Sequence, residues 1–509
     1  MQLKKEELIS RSILLFIFIS IVIYVIFLQF LFPVLYEVDG YYHVAVAKQI
    51  KDFGPHHKFS WAQFSVFKDV YADKDFLFHI FIIPFFYLSH NIILVGKYAV
   101  IFYNILFLLA YIFILRKYLP NFLAGLFLLL LFVSPMFTIY FLFLRPATLS
   151  NIFLILSIYC MIHKRYIWLG ILSLLYPLAH VSFFIIVICA FCCEIVRYIL
   201  QKEFYFRNVY VTLIASILGC FLHPNYPNNL LIIYLNAFLV PWYSFREVGI
   251  DFGMELFPVS SKMAFISNFI LFFTLNSVLL VGFLKRVRVS FSTIVWWVCA
   301  GIYLFLSFSS SRFWYVANVL FFVFFASYIK DWAGGRSWKK LLPKLNLITV
   351  VFVVAALLIH IPNSKDFLRD LKTWALINTH YENVARWMNK NIPKGEIVYH
   401  ANWCDSPYFI CLNPANRYLV VLDPIFMYYR YPKVYSIYRD LKLGRVRKPY
   451  KILRSVFRIN YGYVFKNSPL SLQVKEDPQH FKILYNDYYG IVFKIIYTPA
   501  QKARNEKRT

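Results

Sequence analysis

The feature that most constrains the fold is a series of long apolar windows that carry almost no charge. The first covers residues 11–33 and follows MQLKKEELISR, with no small-residue cleavage site behind it. About 20 such residues are enough to cross the hydrocarbon of a bilayer as a helix. The chain is 60% hydrophobic, which exceeds the level of soluble globular proteins. The sequence therefore predicts a multi-span α-helical membrane protein that retains its first span.

Clusters of Lys and Arg between the windows predict the topology, because cytoplasmic loops carry the excess of these residues. The clusters lie at the N-terminus and at residues 116–117, 163–165, 197–207, 285–288 and 330–344. If all of them are cytoplasmic, the chain has about eleven spans, and everything after residue 362 lies outside the cell membrane. The predicted spans are 11–33, 92–115, 121–144, 148–162, 166–180, 181–198, 208–222, 263–284, 291–309, 314–330 and 346–361.

Two shorter apolar stretches differ from these spans. Residues 77–90 contain Pro84, and residues 230–240 are shorter still. Apolar runs of this length predict interfacial or re-entrant segments, not full spans. We expect both at the outer interface of the membrane.

After residue 362 the pattern changes to short apolar runs separated by charge. Alternating strands and helices of this kind are typical of an α/β domain. The predicted strands are 396–400, 418–423, 461–466, 481–486 and 489–495, and the predicted helices are 365–391 and 430–443. We expect a transmembrane catalytic domain at 1–362, with its first external loop at 34–91. An extracytoplasmic α/β domain would follow at 363–509.

Two acid-x-acid pairs follow the first window, in a chain that otherwise avoids acids. The first pair is Glu37 and Asp39, the second is Asp73 and Asp75, and His43 and His79 stand four residues after their last acids. Charge near lipid is costly and is usually retained for function. The predicted topology places further polar residues on the same outer face. These are Arg145, His180, His223, Glu255 and Arg312. Such one-sided clustering predicts a single external active site at membrane level.

This layout resembles that of the GT-C superfamily of membrane glycosyltransferases. Within the superfamily the chain is most similar to the catalytic subunit of oligosaccharyltransferases. That family has acid-x-acid motifs in its first external loop, here Glu37-Val38-Asp39 and Asp73-Lys74-Asp75. Its soluble domain has a helix and a strand that lead into a WWDYG motif. The equivalent run here is WMNKNIPKGEIVYHANWCDSPYF, in which Trp403 and Asp405 match the motif.

In that family the WWDYG motif recognises the Ser or Thr of the glycosylation sequon. The resemblance therefore implies that Trp403 and Asp405 recognise the acceptor. The other motif positions have changed, to Cys404 and Ser406 among others. This erosion argues against transfer to protein asparagine.

The resemblance also implies catalytic roles for Asp39 and Glu37. In the superfamily the matching aspartate either activates the acceptor nucleophile or binds the metal beside it. A weakly hydrated carboxylate is a competent general base near neutral pH. Asp39, Asp73 and Asp75 are also candidate ligands of a divalent metal, Mg²⁺ or Mn²⁺, that would neutralise the leaving phosphate. His43 and His79 would orient these acids, although either histidine could instead be a packed interfacial residue.

Donor binding is predicted for the basic residues of the outer face. Arginine binds phosphate bidentately, and Arg145 and Arg312 stand at the depth of a polyprenyl phosphate. His223 is a further candidate for the phosphate, and His180 could contact sugar hydroxyls. Glu255 follows a long external loop that could close over donor or acceptor. Snorkelling arginines and helix-capping histidines are the alternative explanations.

The predicted function is transfer of a sugar from a polyprenyl-phosphate or pyrophosphate donor to a glycan, lipid or protein acceptor outside the membrane. The formal net charge of +28 is explained by the cytoplasmic loops and by attraction to membrane lipid and phosphate. We expect no nucleic acid partner. The alternatives are an oligosaccharyltransferase acting on asparagine, a polyprenyl-lipid transporter or flippase, and a non-catalytic scaffold. A transporter would place its polar groups near the midplane in repeated halves, and the sequence has neither feature.

Overall fold

The computed structural model describes residues 2–203, 205–246, 249–334, 336 and 338–496. The chain divides into two compact units. The first contains Met1–Pro33, Lys74–Tyr226 and Gly253–Lys372, and the second contains Val34–Asp73, Pro227–Phe252 and Thr373–Thr509. The second unit therefore combines two loop segments with the C-terminal residues. The assignment of catalysis to residues 1–362 stays a prediction.

Helices make up the first unit, with short 3-10 turns between several of them. Up to residue 226 they are α1 (Gln2–Phe30), α3 (Phe76–Ile82), α4 (Ile92–Leu115), α5 (Asn121–Val133), α6 (Pro135–Phe141), α7 (Ala147–Ile162), α8 (Tyr166–Ala179), α9 (Phe184–Gln201) and α10 (Arg207–Phe221). The helix α2 (Val38–Phe53) belongs to the second unit. From residue 261 the chain forms α13 (Ser261–Ser267), α14 (Phe269–Lys285), α15 (Phe291–Ser309), α16 (Trp314–Ala333) and α17 (Trp338–Asn391).

Several of these helices are long and apolar enough to cross a membrane. Among the described residues there are five such helices, or up to seven if each of two bent pairs counts as one span. The five are Glu7–Phe30, Ile92–Leu115, Val181–Gln201, Phe291–Ser309 and Ser311–Ala333. The predicted multi-span α-helical membrane fold is therefore confirmed. The predicted number of about eleven spans stays a prediction, because α7, α8 and α10 are shorter and most side chains of 346–361 lie outside the described residues.

Two predicted spans are bent pairs of helices. α5 and α6 meet at 91°, and α13 and α14 meet at 77°. The first bend has a local cause, because Pro135 has no amide hydrogen and Ser134 caps the new helix by accepting from the Phe137 amide at 3.3 Å. Ser134 also donates to the carbonyl of Ser267 beside the second bend, at 3.0 Å. The two breaks therefore face each other within the first unit.

A mixed four-stranded sheet is the centre of the C-terminal part of the second unit. The strands are β1 (Val398–His400), β2 (Tyr461–Phe465), β3 (Phe481–Asn486) and β4 (Gly490–Ile495), in the order β1-β2-β4-β3. β1 runs parallel to β2, and the other two pairings are antiparallel. The remaining helices of this unit are α11 (Asn228–Tyr234), α12 (Val240–Phe245), α18 (Ser406–Leu412), α19 (Ile425–Arg430), α20 (Pro432–Lys442), α21 (Pro449–Ser455) and α22 (Pro469–Glu476). The predicted combination of helices and strands after residue 362 is thus confirmed.

One strand prediction is wrong. Residues 418–423 form no strand, although Leu419, Val420 and Val421 are fully buried. The backbone of this run bonds to irregular neighbours: the Tyr418 amide donates to the carbonyl of Trp61 at 2.6 Å, and the Leu419 amide donates to His400 Nε2 at 3.1 Å. Burial without a sheet neighbour therefore explains the apolar pattern that we interpreted as a strand.

Candidate active site

Asp39 lies in the first turn of α2, in the second unit. Glu37 is the residue that precedes this helix, with extended backbone at φ −136° and ψ 142°, and its side chain makes no capping hydrogen bond. Asp39 is half-buried, and Glu37 is 7% exposed. The first turn of a helix has amide hydrogens without helical partners, and a negative charge is favourable there. The local sequence therefore presents the Asp39 carboxylate at a helix N-terminus.

His43 lies one helical turn after Asp39. A spacing of four residues places the two side chains on the same face of α2. His43 is 4% exposed, and its ring centre is 5.5 Å from that of Tyr42. The hydroxyl of Tyr42 is in turn 3.1 Å from that of Tyr71. Asp73, two residues further, is also buried. Glu37, Asp39 and His43 are thus brought to one end of α2, as the sequence indicates.

Asp405 is buried completely and is bonded within the second unit. Its Oδ1 accepts from the Tyr381 hydroxyl at 2.7 Å, and its Oδ2 accepts from the Asn402 amide at 3.1 Å. Burial raises the pKa of this carboxyl to about 6, against the opposing effect of these hydrogen bonds. Because both oxygens are engaged internally, the geometry favours a structural role for Asp405. Its role in acceptor recognition stays a prediction.

Trp403 is half-buried beside the same turn. Its indole Nε1 donates to the carbonyl of Asp251 at 2.7 Å. Asp251 also forms an ion pair with Lys442, and its amide donates to the Tyr435 hydroxyl at 3.0 Å. Trp403 therefore helps to hold the end of the 227–252 segment within the second unit.

The first unit contains a separate cluster around Glu255. The Glu255 carboxylate forms an ion pair with Arg145, whose side chain is 18% exposed. Ser310 and Ser311 hold the backbone here, because their hydroxyls donate to the Glu255 carbonyl at 2.7 and 3.1 Å. The Arg145 guanidinium also lies 5.7 Å from the ring centre of Tyr140. Two residues predicted for the same face, Arg145 and Glu255, are therefore in direct contact.

Three cations act on the Glu255 carboxyl. Burial raises its pKa, but Arg145, and beyond it Arg312 and Lys74, outweigh burial and hold the pKa below its ordinary value. Arg312 is half-buried in the short 3-10 helix Ser311–Phe313. Lys74 was missed at the sequence level because we considered it only as the spacer between two acids. Its position at the boundary of the apolar segment 77–90 is the signal that could have identified Lys74 as a candidate for phosphate binding.

His180 belongs to the same part of the first unit. Its Nδ1 lies 2.7 Å from the Ser182 hydroxyl and accepts from the Ser182 amide at 3.1 Å. Because Nδ1 accepts from an amide hydrogen, the ring in this geometry is the neutral form with its proton on Nε2. It can donate a hydrogen bond from Nε2, but it cannot add a positive charge to a phosphate site.

The second acidic motif lies at the N-terminus of α3. Asp75 precedes this helix and His79 lies one turn further, and both are fully buried. The Lys74 Nζ is 3.9 Å from an oxygen of Asp75. His223 is nearby, with its ring centre 6.0 Å from that of Phe76, and its Nδ1 accepts from the Asn225 amide at 3.0 Å. In the neutral ring the proton of His223 is then on Nε2.

The predicted metal ligands were compared with the side chains that come together in the described residues. Within the described ranges no three His, Cys, Asp or Glu side chains come together so that they could hold a metal ion. A site for Mg²⁺ or Mn²⁺ needs several oxygen ligands in a fixed arrangement. The role of Asp39, Asp73 and Asp75 as metal ligands therefore stays a prediction, and we derive no chemical step through a metal.

The fold is similar to that of two proteins of known structure. The oligosaccharyltransferase AglB from Archaeoglobus fulgidus, in complex with an inhibitory peptide and a dolichol-phosphate, matches 89% of this chain and 69% of its own, with a TM-score of 0.60 at 11% identity. ArnT from Cupriavidus metallidurans, bound to undecaprenyl phosphate, matches 95% of this chain and 98% of its own, with a TM-score of 0.56 at 12% identity. No protein-family model and no curated protein sequence matches the chain.

The chain therefore shares the fold of AglB and ArnT, which agrees with the multi-span fold that the sequence resemblance predicted. At this level of identity the similarity establishes the fold alone. What the chain does must be argued from its own residues.

Proposed function

We propose that this chain is a membrane glycosyltransferase that uses a polyprenyl-linked phosphosugar as donor, on the extracytoplasmic side. The observation that carries the proposal is the group of three cations, Lys74, Arg145 and Arg312, whose charges act on the carboxylate of Glu255, with Asp75 as a second carboxylate beside Lys74. Cations concentrated in this way at the ends of apolar helices fit an anion at the depth of a lipid phosphate. The shared fold with ArnT, which was solved with undecaprenyl phosphate, supports the same donor class.

The charge of the donor changes during the reaction in a way that suits this cluster. A polyprenyl phosphosugar is a phosphodiester with one negative charge, whereas the polyprenyl phosphate that leaves can carry two. Fixed cations stabilise the second state more than the first, and such differential binding accelerates the chemical step. Arg145 and Arg312 would hold the phosphate, with Lys74 as the third cation, and His180 and His223 would donate hydrogen bonds from Nε2.

Asp39 is assigned the role of proton acceptor, with Glu37 beside it. The acceptor hydroxyl gives its proton to the Asp39 carboxylate while its oxygen forms a bond with the anomeric carbon. The bond between that carbon and the phosphate oxygen breaks, and the electron pair leaves with the polyprenyl phosphate. A single displacement of this kind inverts the anomeric configuration. Asp39 then returns its proton to water.

The surroundings of Asp405 favour an acceptor other than a protein sequon. Its carboxylate is buried and is bonded to Tyr381 and Asn402. An acidic side chain engaged in this way is not presented to a serine or threonine of a peptide. The oligosaccharyltransferase function remains the second candidate, because AglB has the same fold. A sequon peptide offered as acceptor distinguishes the two functions.

The test of donor binding uses purified protein in nanodiscs. We would measure binding of radiolabelled undecaprenyl and dolichyl phosphate, and transfer from the matching phosphosugars to envelope lipids, glycans and a sequon peptide. Arg145→Ala and Arg312→Ala should each weaken binding by about tenfold or more, as expected when one cation of a phosphate site is removed. Arg165→Ala is the matched control, since Arg165 is exposed at the start of α8. Equal binding by all three variants would overturn the donor assignment.

A further inference from the structure

The first turn of α2 is fixed by contacts outside that helix. Two hydrogen bonds connect the residues on either side of Asp39 to another helix of the second unit. The carbonyl of Leu35 accepts from Asn378 Nδ2 at 2.6 Å, and the hydroxyl of Tyr41 donates to Glu382 Oε1 at 2.8 Å. Leu35 and Tyr41 stand on either side of Asp39. The catalytic candidate is thus bracketed by two hydrogen bonds.

Both partners come from one face of α17. Asn378 and Glu382 are four residues apart, which places their side chains one above the other on the helix. Both residues are less than a tenth exposed, and so are Leu35 and Tyr41. Hydrogen bonds shielded from water in this way hold a segment in place more firmly than surface bonds do.

Tyr408 joins the two hydrogen bonds into one network. Its hydroxyl donates to Asn378 Oδ1 at 2.5 Å, so the amide that binds Leu35 is oriented by the tyrosine. The ring of Tyr408 lies between two others, with centres 4.6 Å from Tyr41 and 4.4 Å from Tyr381, and is nearly parallel to the latter at 4°. Tyr381 continues the network by donating to Asp405. The turn at 402–405 is thus connected to the start of α2.

The carboxylates of Glu37 and Asp39 act on the pKa of Tyr408. Burial raises the pKa of the Tyr408 hydroxyl, and the carboxylates of Glu37, Asp405 and Asp39 raise it further. The hydroxyl therefore stays protonated throughout the neutral range and keeps donating to Asn378. A Tyr→Phe change removes this donor and leaves the ring stack intact.

We propose that Tyr408, Asn378, Tyr41 and Glu382 are positioning residues that set the orientation of Asp39. The proposal rests on the proposed function, in which Asp39 accepts a proton. The proposal also gives the changed WWDYG-like segment a role. Tyr408, a few residues after it, packs on Tyr41 and Tyr381 and so holds the first turn of α2, which contains Asp39. Misplacing a catalytic group by about 1 Å costs on the order of a hundredfold in rate.

The experiment measures kcat and KM for Tyr408→Phe, Tyr41→Phe, Glu382→Ala and Glu382→Gln in the full chain. We expect kcat to fall by about 10- to 100-fold in the two tyrosine variants and in Glu382→Ala, with KM nearly unchanged. Glu382→Gln keeps a carbonyl oxygen as acceptor for Tyr41, so it should lose less kcat than the alanine variant. Tyr418→Phe is the control, because its buried hydroxyl donates to the carbonyls of Asn413 and Phe409 at 2.7 and 3.2 Å, and neither residue belongs to the proposed network.

Amide hydrogen exchange gives a readout that does not depend on activity. In Tyr408→Phe the amides of residues 36–44 should exchange faster, and in Tyr418→Phe they should not. Equal kcat and equal exchange in Tyr408→Phe and Tyr418→Phe would overturn the positioning role. The outcome of Asp39→Asn separates this failure from a failure of the proposed function. If that variant keeps full activity, the function fails, and if it is inactive while the tyrosine variants equal their control, only the positioning role fails.

Discussion

The Asp405 carboxyl gives a prediction at the scale of one residue. Its pKa is about 6 in the folded chain because of burial, whereas an aspartate in an unfolded chain has a pKa of about 3.9. The folded state therefore binds a proton that the unfolded state has released. Stability falls as pH rises between these two values, by about 3 kcal/mol in total, and is level above them.

We expect Asp405→Asn to remove this dependence. The thermal midpoints of both proteins would be measured in detergent between pH 4 and 7, and the wild type should lose stability relative to the variant as pH rises, because only the wild type has the raised pKa of Asp405. A wild-type midpoint that rises relative to that of the variant over this range would contradict the raised pKa.

Glu255 gives the opposite case of a lowered pKa. Arg145 stabilises the ionised form, so the contribution of the pair to stability is complete above the ordinary pKa of glutamate and is lost as pH falls through the lowered value. Between pH 6 and 8 the pair does not titrate. Glu255→Gln removes the charge that competes with a phosphate for Arg145.

This variant should bind polyprenyl phosphate about fivefold more tightly, with a steeper dependence on salt, when both proteins are measured at the same pH. Glu203→Gln is the control, because Glu203 forms an exposed ion pair with Lys164. Weaker binding by Glu255→Gln would instead mean that Glu255 orients Arg145 for the donor.

Sequence reasoning at this scale identified residue types better than their partners. The contact between Arg145 and Glu255 joins residues 110 positions apart, and the bond between Tyr41 and Glu382 joins residues 341 positions apart. Spacing along the chain carries no information on such pairs. The acid-x-acid motif was visible because its spacing is local, whereas Asn378, Glu382 and Tyr408 have no local signal.

At the scale of elements, the packing of α8 against α10 depends on a glycine. A methyl group at Gly219 would lie 2.2 Å from the carbonyl oxygen of Leu174 and 3.1 Å from Pro177. Since backbone atoms cannot move aside locally, the two helices would have to separate. Close approach at small residues is a common basis of helix packing in membranes.

Gly219→Ala should therefore lower the stability of the purified protein by about 1–3 kcal/mol, the usual cost of overpacking. Gly301→Ala in α15 is the matched control, because a methyl group there meets no atom within 4 Å. The control should be unchanged or slightly more stable, since alanine favours helix over glycine. The fraction that survives heating, measured by size-exclusion chromatography, tests both, and equal survival would contradict the close packing.

Helices and strands were predicted with different success. The apolar windows located the helices of the first unit, because a span needs a long uncharged run wherever it lies. The bends at Ser134 and Asn268 were not predicted, and the run at 418–423 was taken for a strand. In the run at 418–423 the deciding contacts are tertiary, such as the bond from the Leu419 amide to His400. The bend at Ser134 follows from Pro135, a local signal that the prediction of one continuous span did not use.

At the scale of the whole molecule, the predicted orientation places the N-terminus inside and the C-terminal domain outside. Single cysteines at two exposed positions test it, Lys164→Cys between α7 and α8 and Arg447→Cys after α20. On intact cells a membrane-impermeant maleimide should label the second variant and not the first, above the background of the wild type. Labelling of position 164 alone would invert the topology and place the proposed chemistry on the cytoplasmic side.

Composition and charge predicted a multi-span membrane protein, but they did not predict which segments of the chain form each compact unit. The second unit contains residues 34–73 and 227–252 together with the C-terminal residues. The sequence carries no signal for this, because the three segments are separated by long apolar stretches and have no shared motif.

The most direct test of the account is the release of polyprenyl phosphate from a labelled phosphosugar by the purified protein in the presence of crude envelope acceptors. Wild type would be compared with Asp39→Asn and with Asp52→Asn, which changes an exposed acid at the other end of the same helix. If Asp39 accepts the proton, Asp39→Asn should lose at least about a hundredfold in rate, while Asp52→Asn keeps the wild-type rate. Equal release by all three proteins would contradict the central claim.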